Sequence, residues 1–275
     1  MIDLHIHTEL SPDAKGTFDQ YISFAIEHGL KIVGFTEHWD FDRFDPTCNF
    51  DVHKKSQEIC RGYCGPIEVL YGAEIGYHRI YEDYVTKCLD EVKLDFILGS
   101  VHEVEGLMIS EVAETGEFFS KFGKKGFQIY FEAVANFAQD GIFDVLGHLD
   151  VIKRFSVLYD FPFKEEQHKA QIIEILDILV ARNKALEINT SGLRQPPGAS
   201  YPSLKVARWF FERGGKYITV GSDSHEPAMT GRGCDETIQN LINMGIIDIT
   251  IFKERYPIVL NVIGEPSQGF VRKLR

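Results

Sequence analysis

The sequence predicts an α/β fold, a TIM-like (β/α)7 barrel in a single domain that spans residues 1–275. Three observations support this prediction. Short apolar runs alternate with helical patterns, which is typical of a parallel sheet flanked by helices. About seven such units favour a closed or nearly closed barrel over a doubly wound open sheet, the second-ranked fold. Nearly every candidate metal ligand follows a strand, where barrel enzymes place their active sites.

Each predicted strand is a short apolar run, and a helical pattern follows most of them. The strand candidates are Ile2–Ile6, Ile32–Phe35, Glu68–Tyr71, Phe96–Leu98, Phe143–Leu146, Ala185–Ile188 and Tyr217–Val220. The helix candidates include Asp19–Glu27, Tyr81–Val92, Gln128–Asp140, Glu165–Ala181, Ser203–Arg213 and Cys234–Met244. In Glu165–Ala181, apolar residues recur at three- and four-residue spacing, so one face of that helix is predicted to be buried.

Two stretches have a less regular pattern, Glu103–Phe127 and the segment from Ile249 to the end. The first contains four glycines, which give the backbone conformational freedom. We predict that it forms a lid or a substrate-binding insertion over the barrel mouth.

The composition excludes several classes of protein. A formal net charge of −12 without a basic stripe argues against nucleic-acid binding. No apolar run is long enough to cross a membrane, and no signal peptide precedes the first strand, so we predict a cytoplasmic protein. The five cysteines are predicted to be reduced thiols. The sequence is compatible with a homo-oligomer.

Candidate ligands cluster at the carboxyl ends of six predicted strands. These ends are His5-Ile6-His7, Thr36-Glu37-His38, Gly72-Ala73-Glu74, Ser100-Val101-His102, Gly147-His148 and Ser222-Asp223-Ser224-His225. Side chains two apart on a strand share a face, so both rings of His5-x-His7 can reach one ion. The pair Asp223-x-His225 repeats this geometry on the last strand, which neighbours the first in a closed barrel. Mixed imidazole and carboxylate ligands suit zinc, iron or manganese.

The remaining histidines have a simpler interpretation. His28, His53, His78 and His168 lie in helical or loop patterns, so we interpret them as surface or hydrogen-bonded residues.

With these motifs the chain resembles the polymerase-and-histidinol-phosphatase (PHP) family of phosphoesterases. The resemblance runs from Asp3-Leu4-His5-Ile6-His7 to Gly221-Ser222-Asp223-Ser224-His225. Within the family, it is similar to the stand-alone histidinol-phosphate phosphatases in length and in four segments: Gly72-Ala73-Glu74-Ile75-Gly76, Asp95-Phe96-Ile97-Leu98-Gly99-Ser100-Val101-His102, Gly147-His148-Leu149-Asp150 and Glu187-Ile188-Asn189-Thr190-Ser191-Gly192.

The resemblance implies a distorted barrel with up to three divalent metal ions (Zn, Fe or Mn). By this carry-over, the first ion takes His5, His7, Glu74 and Asp223; the second takes Glu74, His102 and His148; the third takes Asp13, His38 and His225. Asp13 lies in Ser11-Pro12-Asp13, which is also a turn-forming sequence, and without it the third site would be only partly filled. We assign catalytic roles to His38, Asp223 and His225.

Three ions with three carboxylate ligands leave a charge of about +3, which suits a phosphomonoester dianion. The expected reaction is attack on phosphorus by a hydroxide shared between metals. Arginine forks match phosphate oxygens, and Arg154 and Arg194 resemble the substrate-binding arginines of the phosphatase branch. Arg232 is a weaker candidate.

The sequence thus predicts an enzyme that hydrolyses L-histidinol phosphate, a small phosphorylated substrate of histidine biosynthesis. Three alternatives stay open at this point. The chain could be a PHP phosphoesterase acting on a nucleotide, an oligonucleotide end or a phosphotyrosine peptide. It could be an amidohydrolase-type C–N hydrolase, although that class often needs a metal-bridging lysine where this sequence has Glu74. It could also be a non-catalytic metal-binding barrel, although it keeps a full set of candidate ligands.

Overall fold

The computed structural model describes residues 1–41, 50–77 and 81–262, except for the side chains of Phe41 and Tyr77. Seven parallel strands form one sheet that curls into a nearly closed barrel, in the order β1-β2-β3-β4-β7-β8-β9. They are β1 (Ile2–Ile6), β2 (Ile32–Phe41), β3 (Glu68–Tyr77), β4 (Phe96–Gly99), β7 (Val145–Leu146), β8 (Ala185–Asn189) and β9 (Ile218–Gly221). A short hairpin, β5 (Glu103–Val104) and β6 (Leu107–Met108), follows β4. The predicted single-domain α/β barrel is therefore confirmed.

The helices alternate with the strands along the chain. They are α1 (Phe18–Glu27), α2 (Phe50–Gly62), α3 (Glu82–Glu91), α4 (Val112–Phe122), α5 (Lys125–Asp140), α6 (Lys153–Ser156), α7 (Lys169–Ala181), α8 (Leu204–Glu212) and α9 (Cys234–Asn243). The first begins at a capping box, in which Thr17 and Gln20 bond each other's backbone N–H groups. The apolar spacing predicts that Ile172, Ile173, Leu176, Leu179 and Val180 form the buried face of α7. Ile172, Leu176 and Leu179 are buried together with Ile175, whereas Ile173 and Val180 are half-buried. None of the helices in the described ranges combines the length and apolar character that crossing a lipid bilayer requires.

Strands β2 and β3 are each ten residues long, which is more than twice the predicted length. They stay paired from Ile32 opposite Glu68 through His38 opposite Glu74 to Phe41 opposite Tyr77. The predicted β2 ended at Phe35 because the second half of the strand contains the polar residues Thr36, Glu37, His38 and Asp40, which interrupt the apolar pattern. Those side chains are partnered inside the candidate site, so the backbone ladder continues without an apolar pattern.

The two stretches with a less regular sequence pattern nevertheless contain regular elements. Residues 248–261 form an antiparallel hairpin of β10 (Asp248–Lys253) and β11 (Tyr256–Asn261). The stretch Glu103–Phe127 contains the β5–β6 hairpin, all of α4 and the start of α5. The β10–β11 hairpin packs against β9, and the β5–β6 hairpin packs against α4 and α5. These tertiary contacts support both hairpins and are not visible in the local sequence pattern. Residues 263–275 lie outside the described part of the chain.

The turn of the β10–β11 hairpin closes the end of the barrel that lies opposite the strands' carboxyl ends. Its residues Glu254 and Arg255 have φ angles of 50° and 70°, the left-handed conformation of a tight hairpin turn. The Glu254 N–H donates to Asp95 Oδ1 (3.2 Å), and Arg255 Nη2 donates to Asp144 Oδ1 (2.9 Å). Because Asp95 and Asp144 directly precede β4 and β7, the turn ties the amino ends of these two strands together.

Candidate metal centre

A cavity of about 680 Å³ opens at the carboxyl ends of the strands. Seven of the nine predicted ligands line it: Asp13, His38, Glu74, His102, His148, Asp223 and His225. The other two, His5 and His7, lie fully buried beneath its floor. The structure therefore brings all nine predicted ligands to one place, and their assignment to individual ions stays a prediction.

One group of ligand atoms surrounds the pair His5 and His7 on β1. The Nε2 atom of His5 lies 3.3 Å from Glu74 Oε2 and 3.6 Å from Asp223 Oδ1. The Nε2 atom of His7 lies 3.4 Å and 3.5 Å from the same two oxygens. Four atoms from three different strands thus converge. His5 and His7 both take part because side chains two residues apart on β1 point to the same face.

A second group forms around the other oxygen of Glu74. His148 Nε2 lies 2.8 Å and His102 Nε2 lies 3.3 Å from Glu74 Oε1, and the two nitrogens are 3.3 Å apart. Glu74 therefore presents Oε2 to the first group and Oε1 to the second, the arrangement that a bridging carboxylate needs. Ser100 Oγ also donates to Glu74 Oε1 (2.6 Å) and fixes the carboxylate.

A third group lies nearer to solvent. Asp13 Oδ2 is 3.4 Å from His38 Nε2 and 3.2 Å from His225 Nε2. The side chain of Asp13 is 56% exposed, so this group is the most open of the three. His38 also reaches inward, since its Nδ1 lies 3.0 Å from Glu74 Oε2.

The donor set fits divalent metal ions. Within the described residues, His5 Nε2, both ring nitrogens of His7 and His38 Nδ1 are buried without a hydrogen-bond partner. Buried polar atoms normally have partners. Three of these atoms, His5 Nε2, His7 Nε2 and His38 Nδ1, lie 3.0–3.4 Å from Glu74 Oε2, and this convergence indicates a cation site. Bond lengths of 2.0–2.1 Å to zinc put neighbouring ligands of a tetrahedron about 3.3 Å apart. The observed spacings of 3.3–3.6 Å in the first group match this value.

Two carboxylates that the sequence reasoning missed orient the histidine rings. Asp40 Oδ1 lies 3.0 Å from His102 Nδ1, and Glu187 Oε1 lies 2.6 Å from His5 Nδ1. A carboxylate on the second ring nitrogen fixes the tautomer and turns Nε2 toward a metal. Asp40 lies two residues after His38, so strand parity places both side chains on one face. This signal was lost because β2 was predicted to end at Phe35.

The loop after β1 is held by a buried carboxylate, Glu37. Its oxygens accept hydrogen bonds from Thr8 Oγ1 (2.7 Å) and Ser11 Oγ (2.6 Å). Ser11 Oγ in turn accepts from the His38 N–H at 3.0 Å. The loop that carries Asp13 is thereby tied to the strand end that carries His38.

Of the histidines predicted to be structural, His53 is the most informative. Its ring is buried, stacks on Trp39 at 4.1 Å and bonds the His38 carbonyl oxygen at 3.1 Å. Burial lowers the pKa of His53 to about 3, so it stays neutral. His28 bonds the carbonyl of Phe24, and His78 lies outside the described residues.

The two predicted substrate arginines lie in different surroundings. Arg154 lines the cavity, and its guanidinium is held by Gln195 Oε1 (3.0 Å) and Asp223 Oδ2 (3.5 Å). Arg194 is not among the residues that line the cavity in the described part of the chain. Its Nη2 donates to the carbonyl oxygens of Ser222 (2.6 Å) and Asp223 (3.1 Å). Asp223 has a φ of 53°, so Arg194 supports a left-handed backbone at a candidate ligand.

The carboxylates of the centre favour positive charge on the neighbouring histidine rings. Burial disfavours protonation of His5, but the carboxylates of Glu187, Glu74 and Asp223 outweigh it and raise its pKa well above the ordinary value. At His102, burial is likewise outweighed by Asp40 and Glu74, and the pKa rises to about 10.

The carboxylate at the centre shows the complementary effect. Burial would raise the pKa of Glu74, but the nearby rings of His5, His102 and His38 lower it well below the ordinary value. His7 differs from its neighbours, since burial and the positive charges of His38 and His225 lower its pKa well below the ordinary value. In the absence of metal, the raised pKa values of His5, His38, His102 and His225 favour protons on these rings, which supply the positive charge that the carboxylates attract.

Comparison with known proteins agrees with this geometry. The chain matches the PHP domain over residues 3–191. A protein named probable histidinol-phosphatase from Deinococcus radiodurans is 28% identical over 262 residues, which cover 93% of this chain and 97% of the relative. The histidinol-phosphatase of Lactococcus lactis subsp. lactis is 31% identical over 234 residues, 82% of this chain and 84% of the relative.

A solved structure shares the fold. The crystal structure of histidinol phosphate phosphatase from Lactococcus lactis, complexed with zinc, L-histidinol and phosphate, superposes with a TM-score of 0.81 at 25% identity. The match covers 93% of this chain and 98% of that one. Together with the cluster of histidines and carboxylates, these matches identify the chain as a member of the PHP family of phosphoesterases.

Proposed function

We propose that this protein is a metal-dependent phosphomonoesterase that hydrolyses L-histidinol phosphate to L-histidinol and phosphate. The observation that carries the proposal is the convergence of nine ligand side chains at one cavity that also contains Arg154. Relatives named for this activity, at 31% and 28% identity, support the choice of substrate.

The proposed ligands are His5, His7, Asp13, His38, Glu74, His102, His148, Asp223 and His225, for up to three ions of zinc, iron or manganese. When bound, divalent ions in such a centre activate water and neutralise charge on phosphate oxygens. Asp40 and Glu187 hold the His102 and His5 rings so that their Nε2 atoms face the centre. In the proposal, His38, Asp223 and His225 form the part of the centre that faces the substrate.

Arg154 is proposed to bind the phosphate group. Its fixed guanidinium lies at the cavity wall beside Asp223, where a phosphate oxygen could accept its N–H groups. Arg194 was predicted to share this role, and its contacts with Ser222 and Asp223 give it a second one, the support of the loop that carries Asp223.

The cavity suits a small molecule rather than a polymer. Its volume of about 680 Å³ lies in the range of small-ligand pockets. A net charge of −12 repels long polyanions, so we propose a small substrate and no nucleic-acid partner. We propose that residues 1–275 act as one hydrolase domain.

The test is release of phosphate from L-histidinol phosphate by protein of known metal content, beside a nucleoside monophosphate and a phosphotyrosine peptide. We expect turnover of L-histidinol phosphate that chelation abolishes. Turnover of one of the other esters instead would support a phosphoesterase activity but refute L-histidinol phosphate as the substrate. No turnover of any ester by fully metal-loaded protein would refute the proposal.

The role of Arg154 can be tested separately. We expect Arg154→Ala to raise KM at least about tenfold with metal content unchanged, because a charge-assisted bond to phosphate is lost. Arg208→Ala is the matched control, since Arg208 is exposed on α8 away from the cavity.

A further inference from the structure

Backbone pairing is sparse where β1 meets β9. These strands are the two ends of the seven-stranded sheet, and no ladder joins them in the described residues except a single bridge between Ile6 and Ser224. That bridge consists of His7 N–H to Ser224 O (2.9 Å) and Ser224 N–H to His5 O (3.3 Å). We call the contact of residues 2–7 with residues 218–225 the seam.

The seam runs through the middle of the proposed metal centre. His5 and His7 lie on its β1 side, and Asp223 and His225 lie on its β9 side. The distances of 3.6 Å and 3.5 Å from the two Nε2 atoms to Asp223 Oδ1 are therefore measured across the seam. Any opening of the seam would separate these ligands.

A buried carboxylate, Asp3, spans the seam where backbone pairing is missing. Its Oδ1 accepts a hydrogen bond from the Ser222 N–H (2.8 Å), and its Oδ2 accepts from Ser222 Oγ (2.6 Å) and from the Gly231 N–H (2.7 Å). The side chain is 0% exposed. Bonds from neutral donors to a buried carboxylate are short and strong, so they can replace a ladder.

The seam is also packed without spare room. A Cβ atom on Gly221 would lie 2.3 Å from His5 Cβ and 2.7 Å from Glu187 Oε1. The absence of a side chain at Gly221 therefore lets β9 approach β1 closely enough for the ligands of both strands to share one centre.

We propose that Asp3 is a positioning residue that sets the separation between His5 and His7 on one strand and Asp223 on the other. This inference rests on the proposed metal-dependent function, because the separation matters only if the two pairs share a ligand. Aspartate is required because every group that faces its oxygens is a donor. An asparagine would turn an N–H toward one of those donors and would break at least one bond across the seam.

Two variants and one control test the inference. Asp3→Asn disrupts the carboxylate, and Ser222→Ala removes only the hydroxyl that donates to Asp3 Oδ2. The control is Asp95→Asn. Asp95 is another buried aspartate that accepts a backbone N–H, from Tyr71 (3.0 Å), but it lies at the opposite end of the barrel.

Two measurements are made on each full-length variant. The first is amide hydrogen exchange of His7 and Ser224 in metal-free protein, which reports opening of the seam without any metal. We expect exchange about tenfold or more faster in Asp3→Asn and Ser222→Ala, because a bond to a buried charged group is lost. The second is zinc affinity by competition with a chelator, which we expect to fall about 10- to 100-fold in the same variants. Asp95→Asn should change neither quantity.

The outcomes separate the inference from the proposed function. The inference would be overturned if both variants kept the amide exchange rates and the zinc affinity of the wild-type protein. It would also be overturned if Asp95→Asn changed these two quantities as much as Asp3→Asn does. Faster exchange with unchanged zinc affinity would also overturn it, because the seam would then not set ligand spacing. If Asp3→Asn fails to fold, Ser222→Ala decides alone. If the wild-type protein binds none of zinc, iron or manganese, the metal-dependent function is refuted. An unchanged exchange rate at His7 and Ser224 in the variants would, independently, refute the role of Asp3 at the seam.

Discussion

At the scale of single residues, Glu74 lies at the centre of the candidate ligands. One oxygen faces His5, His7 and His38, and the other faces His102 and His148. A carboxylate that is shared in this way holds the positive groups of both halves together. Its loss should therefore disrupt the whole centre rather than one ion.

We expect Glu74→Gln to lower both zinc content and phosphatase activity by at least about 100-fold, since even partners beyond the ligands contribute 10- to 100-fold. Glutamine keeps the shape but removes the charge that the histidines share. Metal analysis and phosphate release measure the effect. Glu68→Gln, at the other end of the same strand, should retain both, and a fully active Glu74→Gln enzyme would contradict the proposed centre.

Single residues could be placed from the sequence where the alternation of side chains along one strand was sufficient. Parity on a strand is enough to place His5 and His7 on one face. It could have placed Asp40 beside His38 as well, but it requires knowledge that the strand continues, and polar residues hide this in the sequence. The partner of His5, Glu187, comes from β8, so only the folded barrel brings the two together.

At the scale of elements, the β10–β11 hairpin stabilises the barrel from the end opposite the candidate site. Its turn contacts Asp95 and Asp144, which precede two neighbouring strands. Stability and catalysis should therefore be separable in this element.

We expect Arg255→Ala to lower the free energy of unfolding by about 1–3 kcal/mol, because Asp144 is buried and loses its charged donor. Metal content and kcat should not change, because the hairpin turn lies at the far end of the barrel. Urea denaturation and steady-state kinetics measure the two effects. Lys253→Ala is a control in the same hairpin, since its exposed pair with Glu68 should contribute less than about 1 kcal/mol.

The insertion between β4 and β7 supplies one wall of the cavity through Met108, Ser110 and Glu111. The prediction that Glu103–Phe127 binds substrate stays a prediction, and these side chains support it. We expect the part of a substrate beyond its phosphate, which differs between phosphoesters, to contact this wall.

Glu111 gives this wall a negative charge, which favours a cationic group on the substrate. We expect Glu111→Gln to raise KM for L-histidinol phosphate about tenfold, because a charge-assisted contact is lost. The KM for p-nitrophenyl phosphate, which has no cationic group, should stay the same. Equal changes for both esters would show that Glu111 acts on the centre instead of on specificity.

The elements were predicted well where apolar periodicity is strong, as in α7 and β8, and poorly where tertiary contacts replace it. In β2 the polar second half is held by β3 and by the site. In the C-terminal hairpin the strands are stabilised by the barrel end. Neither influence is visible in a local window of sequence.

At the scale of the whole molecule, we expect the proposed metal centre to couple the free energy of unfolding to metal binding and to pH. His102 has a folded-state pKa of about 10 against an ordinary value of 6.5. A raised histidine pKa stabilises the metal-free fold below pH 6.5, and this stabilisation is lost as pH rises toward 10. Metal requires the neutral ring, so its binding improves over the same range.

We therefore expect the metal-free protein to lose thermal stability between pH 6.5 and about 10, while the zinc-loaded protein does not. The difference between the two melting temperatures should widen with pH. Calorimetry of both forms across this range measures it. A difference that narrows as pH rises would contradict the predicted protonation of the metal-free centre.

The seam also has a consequence for biosynthesis. The proposed ligands extend from His5 to His225, so a growing chain carries its first two histidines long before it carries their partners. A lone histidine pair selects divalent ions by intrinsic affinity, which favours copper over zinc, iron or manganese. Only when the ribosome has passed residue 225 can β9 join β1 and impose a geometry of its own. In the proposed centre, selection of a metal by geometry therefore requires β9, the last strand of the barrel to be synthesised.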